Sequence, residues 1–230
     1  MSKGRRFLGW VIGVIAVIAM IGCAMFSLGF FEQQEIKEVE AYPMSFGSYY
    51  TGRLVDGIKD GHGRILYSNG DRYTGDFVNG EYHGNGLFES AQGWKIGGSF
   101  SNGLPNGTGT LVLVNGSIFE GYYSAGTIDG EGVFTSYAGW IHKGLWVQGS
   151  PTGEGVFTYA DGSVFDGGFE YGVATGIGVY TDAAGWRYRG GFSQGLFEGY
   201  GTLTFENGES LTGIWTAGAL TELQSMSIPE

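Results

Sequence analysis

The stretch Tyr73 to Gly93, Y-T-G-D-F-V-N-G-E-Y-H-G-N-G-L-F-E-S-A-Q-G, decides the fold of this chain, because with small changes it returns every 23 residues. Its leading glycine recurs at positions 52, 75, 98, 121, 144, 167, 190 and 213 without insertion or deletion. Five fixed offsets hold 37 of the 46 glycines, so the excess belongs to a folded repeat and not to a flexible linker. The letters alternate as a strand does. Asp71, Tyr73, Gly75 and Phe77 fall on one side, with Arg72, Thr74 and Asp76 on the other. Gly84, Gly86 and Phe88 share a face in the same way. Rings and glycines in register imply that an aromatic side chain lies over bare backbone of the adjoining strand, where any Cβ would clash.

Successive copies are joined by three residues ending in glycine, from Ser68-Asn69-Gly70 to Glu206-Asn207-Gly208. Such a loop, with positive φ at its last residue, closes an antiparallel hairpin. It makes the residues flanking the loop neighbours. Odd copies place bulk before it (Tyr67 with Asp71, Leu113 with Ser117, Tyr159 with Ser163, Phe205 with Glu209), and even copies place it after (Ser90 with Trp94, Ser136 with Trp140, Asp182 with Trp186). One bulky residue per pair keeps the volume between strands constant. The true period is therefore doubled. These features predict an all-β fold: an elongated antiparallel β-hairpin meander, a repeat solenoid of about 15 strands and roughly 70 Å, over residues 49–218. Beyond Gly218, Leu220, Leu223 and Met226 recur at every third place, which predicts a short helical cap in residues 219–230.

Charge and hydropathy divide the rest. Residues 1–6 are basic, and Phe7 to Phe31 carry no formal charge, a length sufficient to cross a bilayer as one helix. The positive-inside rule then puts the N-terminus in the cytoplasm and the repeats outside it. Gly9 and Gly13 form a G-x-x-x-G pair of the kind that lets two such helices approach, so a homodimer is one expected assembly. Ile21-Gly22-Cys23 offers an alternative, a bacterial lipoprotein anchored at Cys23. Residues 32–48 read as an acidic stalk, helical up to Pro43. The body beyond residue 31 is strongly acidic, which disfavours nucleic acid and anionic membrane surfaces as partners, and no nucleic acid is expected. A single cysteine excludes an intrachain disulfide or a C-x-x-C pair.

The motif Y-x-G-x-[FW]-x-x-G-x-x-x-G-x-G, carried by Tyr73, Gly75, Phe77, Gly80, Gly84 and Gly86 and again by Phe165, Gly167, Phe169, Gly172, Gly176 and Gly178, resembles the MORN (membrane occupation and recognition nexus) repeat family. That resemblance implies elongated antiparallel sheets that act as scaffolds, dimerisation modules or membrane-proximal adaptors without catalysis.

No constellation of catalytic residues stands out. His62, His83 and His142 occupy three different offsets, which is expected of solvated loop or strand positions and not of a metal site. No nucleophile stands beside a periodic base, so no enzyme activity, cofactor or metal is expected. Variable segments on the edge opposite the glycine loops (residues 55–60, 78–83 and their repeats) read as longer loops, where Leu104, Pro105, Ile128, Leu196 and Phe197 are candidates for contact with an unidentified protein partner. Trp94, Trp140 and Trp186 recur on one face. The exchange of bulk places them in the core, and the alternative is a platform for cell-envelope polysaccharide or lipid. The sequence thus predicts a membrane-anchored, non-catalytic scaffold.

Overall fold

The computed structural model describes residues 34–229; Cys23, the Gly9 and Gly13 pair and the apolar stretch 7–31 lie outside the described residues. Among the described residues no helix is long and apolar enough to cross a membrane, and the one helical element is a 3-10 turn at Ser45–Gly47. All else is sheet. After β1 (Ile36–Pro43), seven-residue strands alternate with nine-residue strands. The shorter set is β2 (Tyr49–Val55), β4 (Arg72–Val78), β6 (Lys95–Ser101), β8 (Ile118–Ser124), β10 (Ile141–Val147), β12 (Val164–Glu170), β14 (Arg187–Ser193) and β16 (Ser210–Thr216). The longer set is β3 (Ile58–Leu66), β5 (Glu81–Glu89), β7 (Leu104–Val112), β9 (Thr127–Thr135), β11 (Ser150–Thr158), β13 (Val173–Thr181), β15 (Leu196–Thr204) and β17 (Ala219–Ser227). Each pairs antiparallel with the next in sequence, giving one open meander of seventeen strands.

The expected ring-over-glycine packing is present in atomic detail. Gly75 pairs with Gly86 across β4 and β5, and the Tyr73 ring lies over both. A Cβ on Gly86 would sit 2.6 Å from Tyr73 Cζ, and one on Gly178 would sit 2.6 Å from Phe165 Cε2. Burying such a ring is worth about 2–3 kcal/mol, against roughly 1–2 kcal/mol for the two glycines beneath it, so the exchange is net stabilising.

The connections differ from expectation on one edge. The three-residue glycine loops are as predicted: Gly70 has φ 91°, and its N–H donates to Tyr67 O at 3.0 Å. The segments read as longer loops are instead strand, closed by two-residue turns with positive φ at both positions, such as Asn79-Gly80 (52° and 85°) and Tyr171-Gly172 (49° and 81°). This is the type I′ geometry that matches strand twist. The residues that made these segments look long are absorbed by a bulge. Gly75 pairs with Gly86 while Asp76 pairs with His83, so Gly84 and Asn85 have no partner on β4, although they pair with Phe100 and Ser99 of β6, and Gly84 takes φ 57°.

Both ends of the array were expected to be helical and are strands. Residues Ile36–Pro43 pair with β2, because the unpaired N–H and C=O groups of that edge offer partners that local helix propensity does not register. Beyond Gly218, the three-residue spacing of Leu220, Leu223 and Met226 coincides with repeat offsets. Leu220 and Met226 occupy the places of Phe197 and Leu203, and β17 completes an eighth hairpin on β16. The expected fifteen strands are thus β2–β16, with one strand added at each edge. Lys37, Glu38, Glu40 and Pro43 on β1 and Glu222 on β17 blunt these edges.

Replacing Gly178 by Ala is expected to destabilise the fold by about 1–3 kcal/mol in urea unfolding, because the Phe165 ring must move. In a Phe165→Ala background the same change should cost almost nothing. Equal costs in the two backgrounds would contradict the packing.

Candidate interaction face

The inward-pointing side chains form rows that run across the hairpins at the repeat period. The first row contains Tyr50, Tyr73, Ile96, Phe119, His142, Phe165 and Tyr188, all buried. A second contains Leu54, Phe77, Phe100, Tyr123, Trp146, Phe169, Phe192 and Trp215, also buried. Rings of the two rows meet edge to face, for example Tyr73 with Phe77 at 5.2 Å and 80°. A third row lies just inside the two-residue turns: Lys59, Tyr82, Pro105, Ile128, Pro151, Ala174, Phe197 and Leu220. Where that row carries a ring, it stacks flat on the first row, as Tyr82 on Tyr73 (3.6 Å, 12°) and Phe197 on Tyr188 (3.8 Å, 11°).

The five residues considered for partner contact separate into two groups. Pro105, Ile128 and Phe197 belong to this third row and face the rings, opposite Phe100, Tyr123 and Phe192 respectively. Leu104 and Leu196 are each one residue earlier, exposed, and rest beside the turn glycines Gly126 and Gly218. They do not form one cluster with the other three.

The tryptophans are half-buried on the ring-bearing face. Trp94 stacks on Phe88 at 5.3 Å, Trp140 stands between Phe134 (5.0 Å) and Phe157 (5.3 Å), and Trp186 tilts against Tyr180 at 5.2 Å. At the intervening loops, the small residues opposite Tyr67, Leu113 and Tyr159 carry a function that volume alone did not reveal. Asp71 accepts from Ala91 N at 2.8 Å, Ser117 Oγ from Tyr137 N at 3.0 Å, and Ser163 Oγ from Ala183 N at 3.1 Å. Every second loop is thereby tied to the next. The Ala91 hydrogen bond holds the Asp71 carboxyl below its usual range.

Two histidines lie on the surface, His62 with Nδ1 3.1 Å from Asp76 Oδ1. His142 does not: it is 2% exposed, which corrects the expectation of a solvated position. The reason is its offset. It stands 23 residues after Phe119 and 23 before Phe165, in the first aromatic row, over Gly144 and Gly155. Its ring meets Trp146 at 5.3 Å and Phe169 at 4.7 Å, both edge to face, and neither ring nitrogen has a hydrogen-bond partner. Burial pushes the imidazole pKa down. The period was available in the letters to find this residue.

Below the midpoint of the array the face is open. A cavity of about 420 Å³ is lined by Phe119, Ile128, Phe134, Trp140, His142 and Trp146 together with flanking residues, and a second of about 230 Å³ lies by Phe165, Ala174, Trp186 and Phe197. Among the described residues no group of three or more His, Cys, Asp or Glu side chains is placed to hold a metal ion.

A hairpin array with a glycine-floored aromatic face defines a class of repeat protein, and comparison with known families agrees with it. The MORN repeat matches seven times, at residues 50–72, 73–95, 98–118, 119–141, 142–164, 165–187 and 188–210. The chain belongs to the MORN repeat family. Comparison with curated proteins gave no match. Among solved structures, the G-box domain of the microcephaly protein CPAP is similar over 86% of this chain and 100% of that one, at 14% identity and a TM-score of 0.52. The TCP10 domain of Danio rerio CPAP is similar over 86% of this chain and 98% of that one (9% identity, TM-score 0.47). The TCP domain of SAS-4 from Drosophila melanogaster, solved with a proline-rich motif of Ana2, is similar over 80% and 99% (11% identity, TM-score 0.43). At these identities the likeness is one of fold.

Because the folded state disfavours imidazolium at His142, the unfolded chain binds more protons as pH falls below about 6.5, and stability falls with it, by at most about 1.4 kcal/mol per pH unit. Thermal melts from about pH 7.5 to about pH 5 should show this loss in the natural chain and much less of it in His142→Phe. Asp71, whose pKa is lowered, contributes its loss only at more acidic pH, below about 4. Parallel pH profiles for the two proteins would contradict the burial of a neutral His142.

Proposed function

We propose that this protein is a non-catalytic scaffold held at a membrane by its N-terminal apolar segment, with the repeat sheet outside the cytoplasm and its ring-bearing face turned to another protein. The observation that carries this reading is the uncovered stretch of that face over the middle hairpins, on a frame whose every strand is tied to the next. Large apolar surface left open on a regular sheet is characteristic of a contact surface. Membership of the MORN repeat family supports an interaction role, and the fold shared with the CPAP G-box domain is compatible with one. The acidic body beyond residue 31 favours a partner of opposite charge.

Membrane attachment rests on the uncharged run from Phe7 to Phe31 and its basic flank. Two such chains could associate through Gly9 and Gly13. The second reading, a receptor for cell-envelope polysaccharide or lipid through Trp94, Trp140 and Trp186, has less support, because Trp140 carries a ring on each side and offers no free face for a sugar.

Crosslinking in intact membranes, followed by identification of captured proteins, is expected to recover one specific partner at high yield. Recovery of only the abundant membrane proteins would refute the scaffold reading. The mass of the purified chain tests the anchor at the same time: a chain retaining Phe7 to Phe31 is expected, and one starting at an acylated Cys23 would replace the helix by a lipid.

A further inference from the structure

The third row of the inner face carries aromatic rings in the second and seventh hairpins and none in the four hairpins between them. In the second and seventh hairpins Tyr82 and Phe197 stack on Tyr73 and Tyr188. In the third to sixth hairpins the same seat is held by Pro105, Ile128, Pro151 and Ala174. The two cavities of about 420 Å³ and 230 Å³ lie where those rings are missing. The larger has the size of a binding pocket. The fold therefore carries its own template for the guest: a planar ring seated above the first row.

A second feature coincides with the vacancy. Of the five buried polar side-chain atoms without a hydrogen-bond partner among the described residues, four belong to Tyr123, His142 and Trp146, in the fourth and fifth hairpins. Their counterparts elsewhere are satisfied: Tyr50 and Tyr188 donate to Arg53 O and Gly191 O, and Trp215 Nε1 to Gly201 O at 3.2 Å. Native structures rarely leave such atoms unmatched, which sets these two hairpins apart from the rest of the array. The imidazole of His142, with a donor and an acceptor in its neutral form, stands in the floor of the larger cavity.

We infer that the inner face over the fourth and fifth hairpins is the seat of a tyrosine side chain presented by a basic segment of a partner protein, stacked above Phe119 and His142 beside Trp140. The ring takes the place that Tyr82 fills in the second hairpin, with its hydroxyl directed, as that of Tyr82 is toward Tyr67, along the face toward the three-residue loops. A basic segment follows from charge. Residues 111–172 hold the acids Glu120, Asp129, Glu131, Glu154, Asp161, Asp166 and Glu170 against Lys143 alone. Those carboxylates stand on the reverse face and at the turns, so they steer the segment to the sheet and do not pair within the cavity. This inference rests on the scaffold reading and names its contact site.

The probe is the peptide Lys-Lys-Tyr-Lys-Lys, titrated into the full-length chain and read by tryptophan fluorescence, beside its Tyr→Ala analogue and N-acetyl-tyrosine amide. Saturable binding is expected for the first, about tenfold weaker binding for the analogue, and weaker binding again for the amide. Filling the seat from within supplies the second arm. Ile128→Tyr and Pro151→Phe install the rings of the second and seventh hairpins, and each variant should melt no lower than the natural chain while binding the peptide at least about tenfold more weakly. No saturable response, equal binding of the alanine analogue, unchanged binding by both filled variants, or an amide as tight as the peptide would each overturn the inference, the last in favour of a free aromatic molecule. If membrane crosslinking still captures the same partner with both filled variants, the site is wrong and the scaffold reading stands. If the natural chain captures no specific partner, the scaffold reading itself fails.

Discussion

The structure depends on one contact: an aromatic ring laid over a pair of facing glycines. Gly75 and Gly86 pair across β4 and β5, and the ring of Tyr73 covers both; the same is true of Phe119 over Gly121 and Gly132 and of Tyr188 over Gly190 and Gly201. A single-layer sheet has no opposing layer to bury its apolar face against, so the rings must find their burial within the sheet itself. Bare backbone provides it. The cost is borne at positions where no side chain can be tolerated, and this is why the glycines keep strict register over the array.

From that contact the linear form follows. Each hairpin meets only its neighbours, so stability is a sum of hairpin terms and nearest-neighbour terms, and a local exception is tolerated as long as the neighbours hold. His142 is such an exception. It takes a ring position without the reach to hydrogen-bond the backbone as Tyr73 does to Asp76 O at 3.1 Å, and the flanking Trp146 and Phe169 hold it in place. The loops add a second linkage, since Asp71, Ser117 and Ser163 each bind the backbone of the loop after their own. Constant volume and a turn-to-turn hydrogen bond are met by the same small residue.

The repeat array was legible because its determinants are local: glycine register, alternation, and the pairing of bulk across a three-residue loop. The misreadings have equally local causes. Residues Ile36–Pro43 are good helix formers, and only the open edge of β2, which no window of sequence contains, turns them into a strand. Leu220, Leu223 and Met226 presented a helical spacing only because the glycines of the earlier copies are replaced there by Glu222 and Gln224. The segments taken for longer loops contained a bulge, and a pair such as Gly84 and Asn85, unmatched on one side of its strand only, has no spacing signal apart from the turn that precedes it. Of the candidate contact residues, Pro105, Ile128 and Phe197 share a row that the 23-residue period already defined, while Leu104 and Leu196 do not. The cavity itself was not legible, because it arises from what the third row lacks in four consecutive hairpins.

Solution NMR of the glycine Hα resonances tests the central contact most directly. Ring currents from Tyr73, Phe119, Phe165 and Tyr188 should displace the Hα signals of Gly86, Gly132, Gly178 and Gly201 strongly upfield, with nuclear Overhauser contacts to the same rings. The glycines of the three-residue loops, such as Gly116 and Gly162, should resonate near unperturbed values. Uniform glycine shifts across the two sets, without ring contacts, would contradict the account.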